Sequence, residues 1–235
     1  MTKQQLEHYE FMNSSILLDP IQILYDSSQK ASKGAVLITD SIIEAFGDEA
    51  RIKAKNYKIS TQNAHNLILA PCLVDPHSIL EEPINSYIET IASLTKKAAY
   101  SGYGQIAILP RSNVWRDSPE KLQSLLNLTN DVLIHPWGGF SKEGKHLELS
   151  PHADLLKHGA IGLAEDDSIP PISFLKKGLL LGEIEASPLL VAPRDKQIQA
   201  NGIVRECVET LRAGWNPDPI ETESIALSQI LELQK

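Results

Sequence analysis

The stretch Leu73-Val74-Asp75-Pro76-His77-Ser78-Ile79-Leu80-Glu81-Glu82-Pro83 divides the chain into two rhythms. Before it, from Ser15 to about Pro71, apolar runs are short and rich in branched residues, at 16–18, 35–38, 42–46 and 67–70. Turn-forming residues such as Asp26-Ser27-Ser28 and Gly47-Asp48 separate them, which predicts the strands of a small β-rich module over residues 1–70. After it, a short apolar strand followed by a helical pattern recurs every thirty residues or so, as βα units require. The strands expected there are 72–74, 105–109, 132–134, 160–164 and 189–192, five parallel strands within residues 71–235.

Helical spacing is carried by Ile88, Ile91, Ala92, Thr95, Ala98 and Ala99, and again by Val204, Cys207, Val208 and Leu211. Ser118-Pro119, Ser150-Pro151 and Asp218-Pro219 each offer a side-chain acceptor at an N-cap and a proline at the first helical position, where its missing N–H costs nothing. Asp218 and Glu221 have capping-box spacing ahead of Ile225, Ile230 and Leu231. Such repeats fit a doubly wound sheet or a (β/α)8 barrel, and periodicity alone leaves both open. No glycine-rich loop follows the first strand, which counts against a dinucleotide-binding sheet.

Bulk properties narrow the function classes. A chain of 235 residues, 42% hydrophobic, is long enough to bury a substantial core. Its formal net charge of -8 and lack of a basic stripe argue against nucleic acid or anionic lipid as partners. Cys72 and Cys207, far apart and outside any CxxC pair, suggest neither a disulfide framework nor a thiolate zinc site. The polar start, residues 1–10, is not followed by an apolar stretch of signal or membrane-spanning length, so a cytoplasmic protein is expected.

In either parallel architecture ligands bind beyond the carboxyl ends of the strands. Those positions hold Asp75-Pro76-His77, Arg111, His135-Pro136-Trp137, Glu165-Asp166-Asp167 and Arg194-Asp195. Each also has a plain structural reading: Asp75 and His77 closing a strand end, the acidic trio as a solvated loop, Arg194 and Asp195 as a surface ion pair.

The quoted stretch resembles the dihydroorotase signature G-L-I-D-P-H-V-H-L-R-E-P. Residues 89–99 with Gly102, then Ile108-Leu109-Pro110 and Asp117-Ser118-Pro119-Glu120, resemble that family's next helix, strand and loop. Residues 159–167 are similar to its fourth-strand G-A-V-A-F-S-D-D, 201–206 to G-V-M-R-E-G, and 216–223 to the following P-x-x-A-E helix. The likeness runs over nearly the whole chain and points to the divergent cyanobacterial-type branch of these amidohydrolases, N-terminal half only. It implies an α/β protein, a small N-terminal β-sandwich module followed by a partial, five-stranded amidohydrolase (β/α) barrel.

It also implies a reaction, the zinc-assisted interconversion of carbamoyl-aspartate and dihydroorotate in pyrimidine biosynthesis. The family's H-x-H metal pair reads His77-Ser78-Ile79 here, so one imidazole is replaced by an aliphatic side chain. The bridging carboxylate falls at Asp166, and a fifth-strand histidine falls at Ala192. The sixth-strand histidine and the general-base aspartate have no counterpart. His77 and Asp166 remain as remnant metal ligands, which should bind zinc weakly. The family's carboxylate-binding arginine falls at Glu81, a charge reversal, and an asparagine position falls at Arg111, the remaining candidate for substrate binding. Five strands cannot close an eight-stranded barrel, so the reading expects self-association or a partner chain completing the barrel. It expects a catalytically impaired dihydroorotase-like protein. The alternative is a non-catalytic scaffold, for example for aspartate carbamoyltransferase, as inactive dihydroorotase-like subunits can be.

Overall fold

The computed structural model describes residues 15–25, 30–80, 89–111, 114–126, 131–165, 167–184 and 186–233. The chain divides into two compact units, residues 1–72 and 73–235.

In the first unit, β1 (Ile16–Ile23) pairs antiparallel with β2 (Ser32–Thr39) and parallel with β4 (Thr61–Leu69), while β3 (Ile42–Phe46) pairs antiparallel with β2. The sheet order is β3-β2-β1-β4. Thr39 pairs with Ile42 across a two-residue turn in which Asp40 and Ser41 have φ of 50° and 64°, the left-handed pair that a tight hairpin needs. The period of two divides β2 between two faces. Ala35 and Leu37 pack with Leu17 and Ala45 on one side, and Val36 packs with Ile21, Ile23 and Ala64 on the other.

Helix α1 (Gly47–Asn56) covers the first of these faces through Ala50 and Ala54, one helical turn apart. The reading of Gly47-Asp48 as a turn is therefore corrected. Gly47, at φ 61°, opens the helix, and Asp48 and Glu49 sit in its first turn, where the helix dipole favours acidic groups.

The second unit is built on parallel pairing. Strands β5 (Leu73–Ser78), β6 (Tyr103–Ile108) and β7 (Leu133–Pro136) form one sheet. Strands β8 (Gly138–Gly139), β9 (Leu163–Ala164) and β10 (Leu189–Leu190) form another. β7 and β8 are one stretch of chain interrupted at Trp137. The Trp137 N–H donates to Ile108 O on β6 (2.9 Å), and the next N–H, of Gly138, donates to Gly162 O beside β9 (3.0 Å). The strands thus follow one another in sequence order without reversing, whereas a doubly wound sheet reverses.

The helices between them are α2 (Ile91–Tyr100), α3 (Pro119–Leu126), α4 (His152–Lys157), α5 (Ile172–Leu180), α6 (Lys196–Gln199), α7 (Val208–Arg212) and α8 (Glu221–Glu232). Leu122 of α3, Leu155 of α4 and Leu175 of α5 gather around Phe140 and Leu163 in the main core. Each such side chain, removed from water, contributes about 1.5–3 kcal/mol. Ile106 and Ile108 of β6 pack with Ala98 of α2 and Leu125 of α3 in a second cluster.

Several expected boundaries move. Ser118-Pro119 does open α3, but Ser150 does not cap α4: Pro151 takes the N-cap position and the buried Ser150 hydroxyl has no partner among the described residues. Asp218 lies in β12 (Pro217–Asp218), paired in parallel with β11 (Val204–Arg205), so neither it nor the Asp218/Glu221 box caps α8, whose N-cap is Ile220. Val204 is accordingly a strand residue, and Cys207 is the N-cap of α7, its sulfur accepting from Thr210 N at 3.4 Å. A capping box unforeseen in the sequence opens α2, between Thr90 and Ser93. Ile88 and Asp26-Ser27-Ser28 lie outside the described residues. No described helix is long and apolar enough to cross a membrane.

Candidate functional site

The end of β5 is shaped by Asp75. Its carboxylate accepts from the His77 N–H (2.9 Å) and from the Ser78 hydroxyl (2.7 Å) where the pairing register with β6 shifts between Asp75 and Ser78, and His77 is exposed there. The plain reading of Asp75 and His77 as residues that close a strand end is corrected, since β5 runs on to Ser78, which pairs with Ile108. The Pro76 carbonyl accepts the indole N–H of Trp137 at 3.0 Å. His135 points elsewhere along β7 and bonds Gln105 of β6 at 2.9 Å.

Beyond the carboxyl ends of β5, β6, β9 and β10 lies a cavity of about 310 Å³. His77 and Ile79 come to it from β5, Leu109 and Arg111 from β6, Glu165 and Asp167 from β9, and residues 190–193 from β10. Two of the three candidate site residues, His77 and Arg111, are brought to one cavity. Asp166 lies outside the described residues, as does Glu81. The His77 ring makes no hydrogen bond or ion pair among the described residues, and the residue is exposed.

Arg111 is engaged rather than vacant: its guanidinium meets the Asp167 carboxylate at 2.7 Å. Glu165 differs from its exposed neighbour Asp167. Its side chain is fully buried, Oε2 is within 3.1 Å of Nε2 of His146, and Oε1 has no partner among the described residues. The solvated-loop reading of the acidic trio is corrected at Glu165. The Arg194–Asp195 ion pair is corrected as well. Arg194 reaches Glu223 at 3.4 Å, and Asp195 caps α6 by accepting from Gln197 N and Ile198 N.

His146 is the residue that sequence reasoning missed. It sits at φ 58° in an irregular segment, 19 positions from Glu165, and only the folded loop joins them. That loop is pinned from below. Trp115 Nε1 donates to Ser141 O (2.7 Å), the Arg116 backbone carbonyl accepts from Gly139 N (2.7 Å), and Asp117 accepts from Glu143 N (2.8 Å).

The donor set around the cavity does not suit a catalytic zinc, which takes three protein ligands and a water. His77 is the one imidazole in the wall, while Ile79 and Ala192 present carbon only. Among the described residues no group of three His, Cys, Asp or Glu side chains is placed to hold a metal ion.

No family model matches the chain. It is 28% identical over 244 residues to a probable dihydroorotase-like protein of Synechocystis sp., covering 92% of this chain and 53% of that one. It is 27% identical over 219 residues to a dihydroorotase of Thermoanaerobacter sp., covering 85% and 51%. The chain therefore spans about half the length of the curated relatives it matches. Among solved structures, the L-hydantoinase of Arthrobacter aurescens superposes with a TM-score of 0.66 at 16% identity, over 93% of this chain and 50% of that one. A D-hydantoinase gives 0.63 at 16% identity. The α/β fold is shared with these enzymes, and the likeness in sequence is to dihydroorotases.

Proposed function

We propose, from this likeness to dihydroorotases, that the chain is a dihydroorotase-like protein of pyrimidine biosynthesis whose own residues leave it catalytically impaired. The observation that carries the reading is the makeup of one cavity wall. Where the family holds metal with imidazoles, His77 keeps its ring, but Ile79 and Ala192, lining the same cavity, have no lone pair to donate. Asp166 is the remaining remnant ligand. Arg111 is ion-paired with Asp167, so a substrate carboxylate there would share its guanidinium with that side chain. The described residues do not fit a catalytic zinc.

The finer architecture belongs to the same proposal. Residues 1–70 are one layer of an amidohydrolase β-sandwich, and residues 71–235 are an arc of a (β/α) barrel in a cytoplasmic protein. Strand order without reversal supports the arc. Among the described residues β5 pairs only with β6, and β10 only with β9, which leaves two open edges. Open edges recruit partners, so self-association or a second chain that completes the barrel follows. The experiment is a dihydroorotate hydrolysis assay of the purified chain with added zinc. The proposal expects turnover at background and would be abandoned on turnover at the rate of a dihydroorotase.

A second reading, a non-catalytic scaffold for aspartate carbamoyltransferase, is favoured by the large apolar side chains exposed around α7 and α8. Ile203 is 75% exposed, Ile220 65% and Trp215 58%. Co-purification with that enzyme from the host supports it, and its absence at native expression levels speaks against it.

A further inference from the structure

We propose that the cavity beyond β5, β6, β9 and β10 binds a small uncharged molecule, an aliphatic alcohol. This ligand class lacks the charges of carbamoyl-aspartate and dihydroorotate, the pair expected of a dihydroorotase. The proposal rests on the cavity's lining and goes beyond the dihydroorotase-like reading.

The lining is aliphatic on several sides. Leu109, just after β6, and Leu190 of β10 line the cavity and pack with Trp137 in one cluster. Val191 packs against the main core, and the period of two that separates it from Leu190 returns Ala192 to the cavity. Ile79, 41% exposed, adds a branched side chain that water reaches. A hydrocarbon guest covers these groups and removes their apolar surface from water, which is the driving force. A volume of about 310 Å³ lies at the small end of ligand pockets, so the guest has a few carbons rather than the size of a nucleoside or peptide.

The polar groups then select the head group. Arg111 and Asp167 meet at 2.7 Å, so each charge already has its counterion. The Glu165 side chain is fully buried and turned to His146, which withdraws its carboxyl from the guest. His77 is left, its ring without a hydrogen bond or ion pair among the described residues. An imidazole presents a donor or an acceptor according to tautomer and protonation, and a hydroxyl answers either, having one O–H and two lone pairs. A carboxylate answers only a donor, and an ammonium only an acceptor. An amide brings more polar atoms than one imidazole can pair. Asp166 lies outside the described residues, and an uncharged guest gives it no part.

The test follows the methyl resonances of the full chain, 13C-labelled at Ile, Leu, Val and Ala, during titration with cyclohexanol at pH 7. Cyclohexanecarboxylate and cyclohexylammonium serve as charged probes of similar shape. Saturable shifts at the Ile79 and Ala192 methyls are expected with one Kd in the millimolar range, tighter than either charged probe by about tenfold or more. The methyls of Ile52, 61% exposed on α1, should not move. Ala192→Phe, which fills the cavity, should abolish the Ile79 shift with the circular dichroism spectrum unchanged. His77→Ala, at an exposed position, keeps the test open should the larger side chain disturb the fold, and it should weaken cyclohexanol about fivefold, the worth of one hydrogen bond. Asp166→Asn should leave the Kd within about twofold, as an uncharged guest requires. No saturable shift at Ile79 and Ala192, a charged probe bound as tightly as cyclohexanol, undiminished binding by Ala192→Phe or His77→Ala, or a large loss in Asp166→Asn would each overturn the proposal. None of these readouts involves metal or turnover, so they read separately from the hydrolysis assay.

Discussion

Gly162 precedes β9 at the point where three chain segments meet, and Gly162→Ala tests that meeting directly. A Cβ at Gly162 would lie 2.5 Å from the carbonyl oxygen of Pro188, 2.6 Å from Cζ3 of Trp137 and 2.8 Å from Cγ of Pro188. These neighbours cannot step aside cheaply. The Pro188 carbonyl accepts from Leu163 N at 3.0 Å beside the β9–β10 pairing, and the Trp137 indole is tied to Pro76 O at 3.0 Å. Overpacking of this kind costs about 1–3 kcal/mol. Loss of one backbone hydrogen bond adds about 1 kcal/mol.

The sum, about 2–4 kcal/mol, converts to a fall in Tm of roughly 4–16 °C for a unit of this size. Thermal melts followed by circular dichroism, with urea titrations to check that m is unchanged, would measure it. A Tm within a degree of the parent would refute the register that places Leu163 opposite Leu189 and Gly162 against Pro188.

Other consequences are as direct. The double variant Ile79→His, Ala192→His adds two imidazoles to the cavity that holds His77. At zinc one hundredfold above its Kd it should gain about 2.7 kcal/mol of stability by linkage, while the parent gains none, as read by scanning calorimetry with and without metal. In the first unit the Arg51 guanidinium, at 2.8 Å and 3.0 Å, holds the Asp19 carboxyl below its ordinary value by hydrogen bonding and by its charge. A carboxyl depressed on folding stabilises the fold above its unfolded pKa, and that contribution fades as pH falls through the folded value. Asp19→Asn should therefore lower Tm at pH 7, by an amount that shrinks as pH falls through the acid range, in a melt series.

How much of this was legible in the sequence depends on the range of the interactions. Apolar runs near 73, 105, 133, 163 and 189 announce the five parallel strands, short and set off by turn-forming residues. Helix α1 was hidden: its core contact is two alanines, and Gly47-Asp48 reads equally as a turn. Ser150 and Asp218 carry N-cap chemistry in sequence, but tertiary packing buries both side chains and starts the helices one or more residues later.

At the site, His77 and Arg111 were visible from their places after strands, and the structure brings them to one cavity. The Glu165–His146 contact was not legible. It depends on a loop whose path is set by Trp115, Arg116 and Asp117, none of which signals its role by spacing.

The central claim is that aliphatic side chains at Ile79 and Ala192 leave this chain without a catalytic zinc site. Equilibrium dialysis of the metal-stripped protein against micromolar zinc, with bound metal counted by mass spectrometry, tests it most directly. The account predicts well under one zinc per chain, unchanged by His77→Ala. One or more tightly held zinc ions per chain, lost on His77→Ala, would contradict it.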